Sequence, residues 1–174
     1  IVGQGTALRT AIEHDALTSV ILSGPPGTGK TTLAKIIAET TNAHFVQLNA
    51  VMSGVKDLKE VCAEAERMKS AFQQKTVLFI DEVHRFSKTQ QDALLAAVEN
   101  RIVLLVGATT ENPSFSVVSP LLSRSLVLQL QSLTDANIRT LLVRALTDPR
   151  GLDDRYTATE DAVAHLIRIA AGDA

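Results

Sequence analysis

Short apolar runs alternate with amphipathic segments along most of the chain. Most of these runs are continuous instead of alternating with polar residues, which is typical of strands in a parallel sheet covered on both faces. The predicted strands are 19–23, 45–48, 77–80, 102–106 and 126–130. Helical periodicity is present near 5–15, 30–40, 56–72, 88–99 and 119–124. Strands alternating with helices predict an α/β fold, a five-stranded parallel sheet with helices on both faces.

The pattern changes after Ser132, where the strand-like runs end. Thr134 and Thr159 can each cap a helix with apolar residues at helical spacing, and Gly172 stands where a C-terminal cap is expected. We therefore expect an α/β core over residues 1–132 and the start of a small helical lid over residues 133–174. The chain has no initial Met, so we expect a fragment of a longer protein.

Composition narrows the possible partners. Hydrophobic residues make up 45% of the 174, which is enough for a core, and no apolar run approaches the ~20 residues of a membrane span. The net charge of −2 does not indicate a broad nucleic-acid-binding face, so any such contact would be local. A single cysteine, Cys62, four scattered histidines and no signal peptide favour an intracellular protein without structural zinc.

A glycine-rich segment follows the first predicted strand and opens a helix. It fits the pattern G-x-x-x-x-G-K-[ST], in which glycines turn N–H groups towards phosphate oxygens. Lys30 would reach the β- and γ-phosphates, and the hydroxyl of Thr31 would bind Mg²⁺. The residues expected to contact nucleotide here are Gly24, Pro25, Pro26, Gly27, Thr28, Gly29, Lys30, Thr31 and Thr32.

Two carboxylates end the third predicted strand, at the sheet edge where α/β proteins bind ligands. Asp81 would bind Mg²⁺ directly or through water, and Glu82 would orient and polarise the attacking water. An ordinary acidic turn is the alternative for an isolated pair. The guanine signature N-K-x-D is absent, so ATP with Mg²⁺ is the expected cofactor and hydrolysis the expected reaction.

Three further residues have two possible interpretations each. Thr110, next to Thr109, either senses the γ-phosphate from the end of a strand or is β-branched filler. Asn49 either holds Glu82 in an unproductive position or forms a turn. Arg124 either acts as a finger on the γ-phosphate of a neighbouring subunit or is a surface residue that closes a helix.

These motifs, in this order, resemble the AAA+ ATPases of the clamp-loader clade. Leu-Asn-Ala at 48–50 and Ser-Arg-Ser at 123–125 are similar to clamp-loader motifs, although the latter has Ser where the family has Cys. Asp-Glu-Val-His-Arg-Phe at 81–86 and Gly-Ala-Thr-Thr-Glu-Asn-Pro-Ser-Phe at 107–115 resemble the replication-associated recombination protein A family, a relative of the Werner-helicase-interacting ATPase.

The resemblance implies properties that the residues alone do not. It implies a P-loop fold, contact of Val2 with adenine, and a DNA-dependent ATPase acting at stalled forks, gaps or duplex ends. The implied partners are single-stranded, gapped or forked DNA, single-stranded-DNA-binding protein and, in the full-length protein, other copies of the chain. The implied setting is cytoplasmic and nucleoid-associated, without membrane. The family's second-sensor arginine would directly follow residue 174.

Two other functions stay open. One is a nucleotide-binding scaffold or switch with little turnover. The other is a Holliday-junction branch-migration motor, which shares D-E-x-H-R and G-A-T-T but has arginine and glycine where this chain has Glu111 to Pro113. A structural hydrogen bond is expected for His84, and Lys56 and Lys59 belong either to a solvated helix face or to a DNA channel in an oligomer.

Overall fold

The computed structural model describes residues 8, 10, 11, 17 and 19–173. These residues form two compact units, one comprising the residues up to 23 with 30–129 and the other 24–29 with 130–173. Val2 and most of the helix expected at 5–15 lie outside the described residues, while Leu8, Thr10 and Ala11 are helical. The domain boundary expected after residue 132 stays a prediction.

A parallel sheet forms the first unit. Its strands, within the described residues, are β1 (Ser19–Ser23), β2 (His44–Asn49), β3 (Thr76–Asp81), β4 (Leu104–Thr109) and β5 (Leu126–Gln129). Their spatial order is β2-β3-β4-β1-β5, and every neighbouring pair is parallel. All five residues of β1 are buried, as expected for a strand covered on both faces. The predicted fold class is confirmed.

Helices connect the strands. They are α1 (Lys30–Thr40), α2 (Val55–Phe72), α3 (Lys88–Glu99), α4 (Pro113–Ser116) and α5 (Ser119–Leu122), with a 3₁₀ turn at Val83–Arg85. The capping box at the start of α3 is present, because the Ser87 hydroxyl accepts from the Gln90 N–H and the Gln90 side chain accepts from the Ser87 N–H. Sequence periodicity did not predict α4 or the 3₁₀ turn.

Side chains of β3 divide between the two faces of the sheet. Leu78 and Ile80 belong to an apolar cluster that includes Leu58 of α2 and Leu94 of α3. Phe79 points the other way, because successive strand residues alternate, and its ring lies 6.2 Å from that of Phe45. The first five residues of β3 are buried, and the last, Asp81, is half-buried at the carboxyl end of the strand.

Strand β4 differs from its prediction. It runs Leu104–Thr109 instead of 102–106. Arg101 has a φ of +51°, and the N–H of Ile102 donates to the carbonyl of Ala97, so Ile102 still belongs to the motif that ends α3. The helix end could not be recognised within the apolar run. The strand begins two residues later than predicted and continues through Gly107 to Thr109.

Gln91 ties α3 to the segments that follow β3 and β4. Its buried side-chain NH₂ donates to the carbonyls of Phe86, at 3.0 Å, and Ser116, at 3.2 Å. Its side-chain oxygen accepts from the N–H of Val118 at 2.9 Å. These bonds satisfy backbone groups that no helix or strand pairs, and they fix two loops at the carboxyl edge of the sheet.

The second unit contains α6 (Asp135–Thr147) and α7 (Glu160–Ala170). Thr134 and Thr159 cap these helices as predicted, and a small core of Ile138, Val163 and Ile167 lies between them. The Arg150 guanidinium bonded to Asp148 holds the pKa of that carboxyl well below its usual range. Across the described part of the chain, no helix combines the length and apolarity needed to cross a membrane.

Candidate active site

The glycine-rich loop Gly24–Gly29 leads from β1 directly into α1, whose first residue is Lys30. Gly27 and Gly29 have φ angles of +66° and +83°, a region that side chains other than glycine rarely adopt. A side chain at Gly29 would meet no other atom within 4 Å, so glycine is needed there for its backbone angle. The Thr28 hydroxyl braces the loop by donating to the Pro25 carbonyl at 2.9 Å.

This loop has the features of a phosphate site. Positive φ angles in successive glycines turn backbone N–H groups to one side, and the helix that follows adds the partial positive charge of its N-terminus. Gly24 is also constrained, because a Cβ there would collide with the carbonyl oxygen of Leu130. The residue types therefore fit triphosphate binding.

The polar residues predicted at the ends of three strands lie along one edge of the sheet. Asp81 ends β3 and is paired in register with Asn49, which ends β2. Thr109 ends the next strand, β4. The Thr110 hydroxyl lies 3.4 Å from Oε2 of Glu82, to which it donates. The structure thus brings Asn49, Asp81, Glu82 and Thr110 to the same edge.

Glu82 has a strained backbone. Its φ of 55° and ψ of 45° place it in the left-handed region, where it begins the 3₁₀ turn Val83–Arg85. This conformation costs roughly 1–2 kcal/mol for a residue with a Cβ. Such strain persists where the surroundings impose it, and it clusters at functional sites.

Asn49 forms a turn in this structure, one of the two roles expected for it. Its side-chain oxygen accepts from the N–H of Val51 at 2.9 Å. Among the described residues, the polar side chains in contact with the Glu82 carboxylate are Thr110 and His84. A role of Asn49 in holding Glu82 stays a prediction.

His84 is the site residue whose importance the sequence did not reveal. The expected structural hydrogen bond is present, because Nδ1 lies 2.9 Å from the hydroxyl oxygen of Thr109. The same nitrogen is also 3.2 Å from Oε2 of Glu82, and the side chain is only 5% exposed. The sequence signal for this role was the position of His84 two residues after Glu82. That spacing does not show that the two side chains are in contact.

Mg²⁺ bound with a nucleotide needs few protein ligands. It is usually held by one or two carboxylates together with phosphate oxygens and water. A hydroxyl at Thr31 and a half-buried carboxylate at Asp81 are hard oxygen donors of the kind it prefers. No group of three or more His, Cys, Asp or Glu side chains within the described residues is arranged to hold a metal ion.

Arg124 lies at the opposite end of the strands from Glu82. The hydroxyl of its neighbour Ser125 is 2.8 Å from that of Ser19, which is paired with Leu105 at the start of β4. Thr109 is four residues further on, about 13 Å along the strand. Since β5 is also separated from β3 by two strands, Arg124 cannot approach Glu82 of its own chain.

In a single chain, the Arg124 guanidinium is held by α3. Its Nη2 is 2.8 Å from Oε1 of Glu99, and Nη1 donates to the Pro120 carbonyl at 3.0 Å. The side chain is 47% exposed. An ion pair this exposed contributes at most about 1 kcal/mol, so a competing anion could displace Glu99 at little cost.

Fold, phosphate loop and acidic strand end are together those of the AAA class of ATPase domains, and comparison with known proteins agrees. The family "ATPase family associated with various cellular activities (AAA)" matches residues 20–133, and the chain belongs to it. The resemblance to replication-associated recombination protein A is confirmed: the protein of that name from Haemophilus influenzae is 47% identical over the whole chain. An uncharacterized AAA domain-containing protein of Mycobacterium tuberculosis, Rv2559c, is 55% identical.

The chain spans well under half of the length of these relatives, covering 39% of the Haemophilus protein and 38% of the Mycobacterium protein. ATPase WRNIP1 of Dictyostelium discoideum is 52% identical over 96% of the chain, which covers 19% of that protein. Among solved structures, RuvB of Thermotoga maritima, described as a Holliday junction branch migration motor, has a TM-score of 0.75 at 32% identity. The match covers 96% of this chain and 54% of RuvB.

We predict that Thr109→Val destabilises the protein by about 1–3 kcal/mol, because it leaves the N–H of Glu111 and the almost buried ring of His84 without their shared partner. Urea unfolding of the nucleotide-free protein measures the effect. Thr110→Val is the matched control, since its hydroxyl is exposed and should change stability by no more than about 0.5 kcal/mol. Equal stability of the two variants would contradict the prediction.

Proposed function

We propose that this chain binds ATP and hydrolyses it with Mg²⁺. Lys30 and the loop Gly24–Gly29 bind the phosphates, Thr31 and Asp81 bind the metal, and Glu82 polarises the attacking water. Thr110 orients that water or the γ-phosphate. When bound, Mg²⁺ neutralises charge that develops on the phosphates during transfer.

The observation that carries the proposal is the cluster at the carboxyl edge of the sheet. A strained Glu82 directly follows Asp81, and Thr110 from the adjacent strand contacts its carboxylate. A nucleotide-binding scaffold would need the phosphate loop but not a carboxylate held in a costly backbone conformation. The cluster therefore favours hydrolysis over binding alone.

We expect Lys30→Ala to abolish ATP binding, because the loop loses the cation that reaches the β- and γ-phosphates. Glu82→Gln should retain binding and lower turnover by at least about 10²-fold, as expected for loss of a general base. Fluorescence of a labelled ATP analogue and phosphate release measure the two steps separately.

Lys35→Ala and Glu39→Gln are matched controls. Both residues are exposed on α1, and the two substitutions remove the same charges as Lys30→Ala and Glu82→Gln do. Wild-type affinity in Lys30→Ala would overturn the phosphate assignment. Turnover that survives Glu82→Gln would favour the scaffold instead.

We further propose that the full-length protein acts on DNA in replication, recombination and repair, at stalled forks, gaps or duplex ends, and with single-stranded-DNA-binding protein. Relatives named replication-associated recombination protein A at 46–48% identity support this action and a cytoplasmic, nucleoid-associated location. The net charge of −2 means that phosphate contacts are few for each copy and accumulate on assembly.

DNA should therefore stimulate ATP turnover by the full-length protein. A ligand that binds the catalytically active conformation more tightly than the inactive one increases the population of the active conformation. Phosphate release is compared with forked, gapped and blunt duplex DNA and with none. Turnover that does not change with any of these would count against a DNA-dependent motor.

A Holliday-junction motor is the second candidate, favoured by the RuvB fold match. Its identity of 32% is below the 47% shared with replication-associated recombination protein A, and Glu111 to Pro113 depart from the arginine and glycine of that motor class. Stimulation by four-way junctions but not by forks or gaps would reverse the preference.

We also propose that Arg124 completes the active site of a neighbouring copy. Its position at the amino ends of the strands excludes a role on its own Glu82, and its planar cation suits the charge on a transferring γ-phosphate. The active form is then a homo-oligomer, in which Arg124 exchanges Glu99 for nucleotide.

Arg124→Ala and Glu82→Gln should each be inactive, with Arg124→Ala lowering turnover by about 10³-fold or more. Mixing the two full-length variants should restore activity, because an intact Glu82 then meets an intact Arg124 across some interfaces. Arg139→Ala, which breaks a similarly exposed ion pair with Glu160, should behave as wild type. A mixture as inactive as its components would refute the role in trans.

A further inference from the structure

His84 is enclosed by polar groups from three segments. Nδ1 lies 2.9 Å from the Thr109 hydroxyl oxygen and 3.2 Å from Oε2 of Glu82. On the other side of the ring, Nε2 lies 3.5 Å from Oε1 of Glu111. The imidazole is 5% exposed, whereas the carboxylate of Glu111 is 57% exposed at the rim.

Proton counting limits what this ring can do. A neutral imidazole has one N–H, and each carboxylate can only accept. A neutral His84 can therefore donate to Glu82 through Nδ1 or to Glu111 through Nε2, but not to both. The Nδ1 contacts are shorter, and Glu111 keeps water around its exposed carboxylate, so the geometry favours the proton on Nδ1.

The Thr109 hydroxyl is compatible with the same arrangement. Its oxygen already accepts from the backbone N–H of Glu111 at 3.0 Å. A hydroxyl oxygen has two lone pairs, so it can also accept a share of the N–H at Nδ1. The ring is thereby held against β4, with the N–H at Nδ1 shared between Thr109 and Glu82.

We infer that His84 is a positioning residue for Glu82, and that Glu111 competes for the same proton. The inference rests on the proposed role of Glu82 in polarising water. Among the described residues, the other polar side chain in contact with the Glu82 carboxylate is the exposed Thr110, at a long 3.4 Å. Donation from His84 therefore restricts the Glu82 carboxylate. A change in the charge or position of the Glu111 carboxylate alters which ring nitrogen of His84 carries the proton, and thereby affects Glu82.

Two isosteric variants separate the two ring nitrogens. The side-chain nitrogen of Asn occupies the place of Nδ1, and that of Gln approaches the place of Nε2. In the full-length protein, His84→Asn should keep kcat close to wild type. His84→Gln and His84→Ala should lower kcat about tenfold, as loss of an outer-shell partner does, with KM for ATP unchanged. His165→Asn, at an exposed histidine of α7, is the control.

A second measurement needs no nucleotide. Solid-state ¹⁵N spectra of full-length protein labelled at histidine show which ring nitrogen is protonated, and the signals missing in His84→Asn identify His84. The proton should be on Nδ1 in wild type and in Glu111→Gln. It should move to Nε2 in Glu82→Gln, because Glu111 is then the only charged acceptor of the pair.

The outcomes distinguish this inference from the proposed function. Equal kcat in His84→Asn and His84→Gln, or ring signals that Glu82→Gln leaves unchanged, would overturn the positioning role while ATP hydrolysis stands. Wild-type protein without ATP turnover would overturn the proposed function and this inference with it. If, of the three His84 variants, only His84→Asn retains kcat, and if the ring proton moves to Nε2 in Glu82→Gln, both the positioning role and the proposed function are supported.

Discussion

Parallel pairing of the strands is the constraint on which the rest of the structure depends. Parallel strands point the same way, so each turn that follows a strand opens at the same edge of the sheet. The pairing of β2 with β3 brings Asn49 level with Asp81, and the pairing of β3 with β4 places Thr109 one residue further along, although the three are distant in sequence. Strands β3 and β4 are almost fully buried, and the polar residues collect at the ends of the strands, where ligands can reach them.

The same direction of pairing separates Arg124 from that edge. The segment before β5 enters at the amino end of the sheet, where Ser125 contacts Ser19, so its cation lies a strand length away from the acids of its own chain. If Arg124 is a finger, a single copy cannot complete its own site, and assembly follows from topology instead of from a separate regulatory element. The weak pair with Glu99 keeps the guanidinium oriented until another anion is available.

Much of this could be predicted from the sequence, because the patterns involved are local. Apolar runs marked five strands, and the segment Gly24–Thr31 marked the loop, since its residue types and its flanking strand and helix are all contiguous. The β4 boundary was missed because Ile102 and Val103 are apolar whether they end a helix or start a strand. The contacts of His84 with Glu82 and of Arg124 with Glu99 were missed because sequence patterns do not give tertiary distances between side chains.

The cluster around His84 has a cost in folding free energy, and this cost argues that the cluster has a functional role. Thr109 is fully buried and His84 almost so, in a unit whose interior is mostly apolar, and Glu82 adds a left-handed backbone conformation. Buried polar groups are tolerated when they satisfy one another, as the hydroxyl and the ring do here. Apolar side chains at both positions would need no hydrogen-bond partners of their own. What the polar pair adds is a defined direction for one N–H, and therefore a defined place for the carboxylate that accepts it.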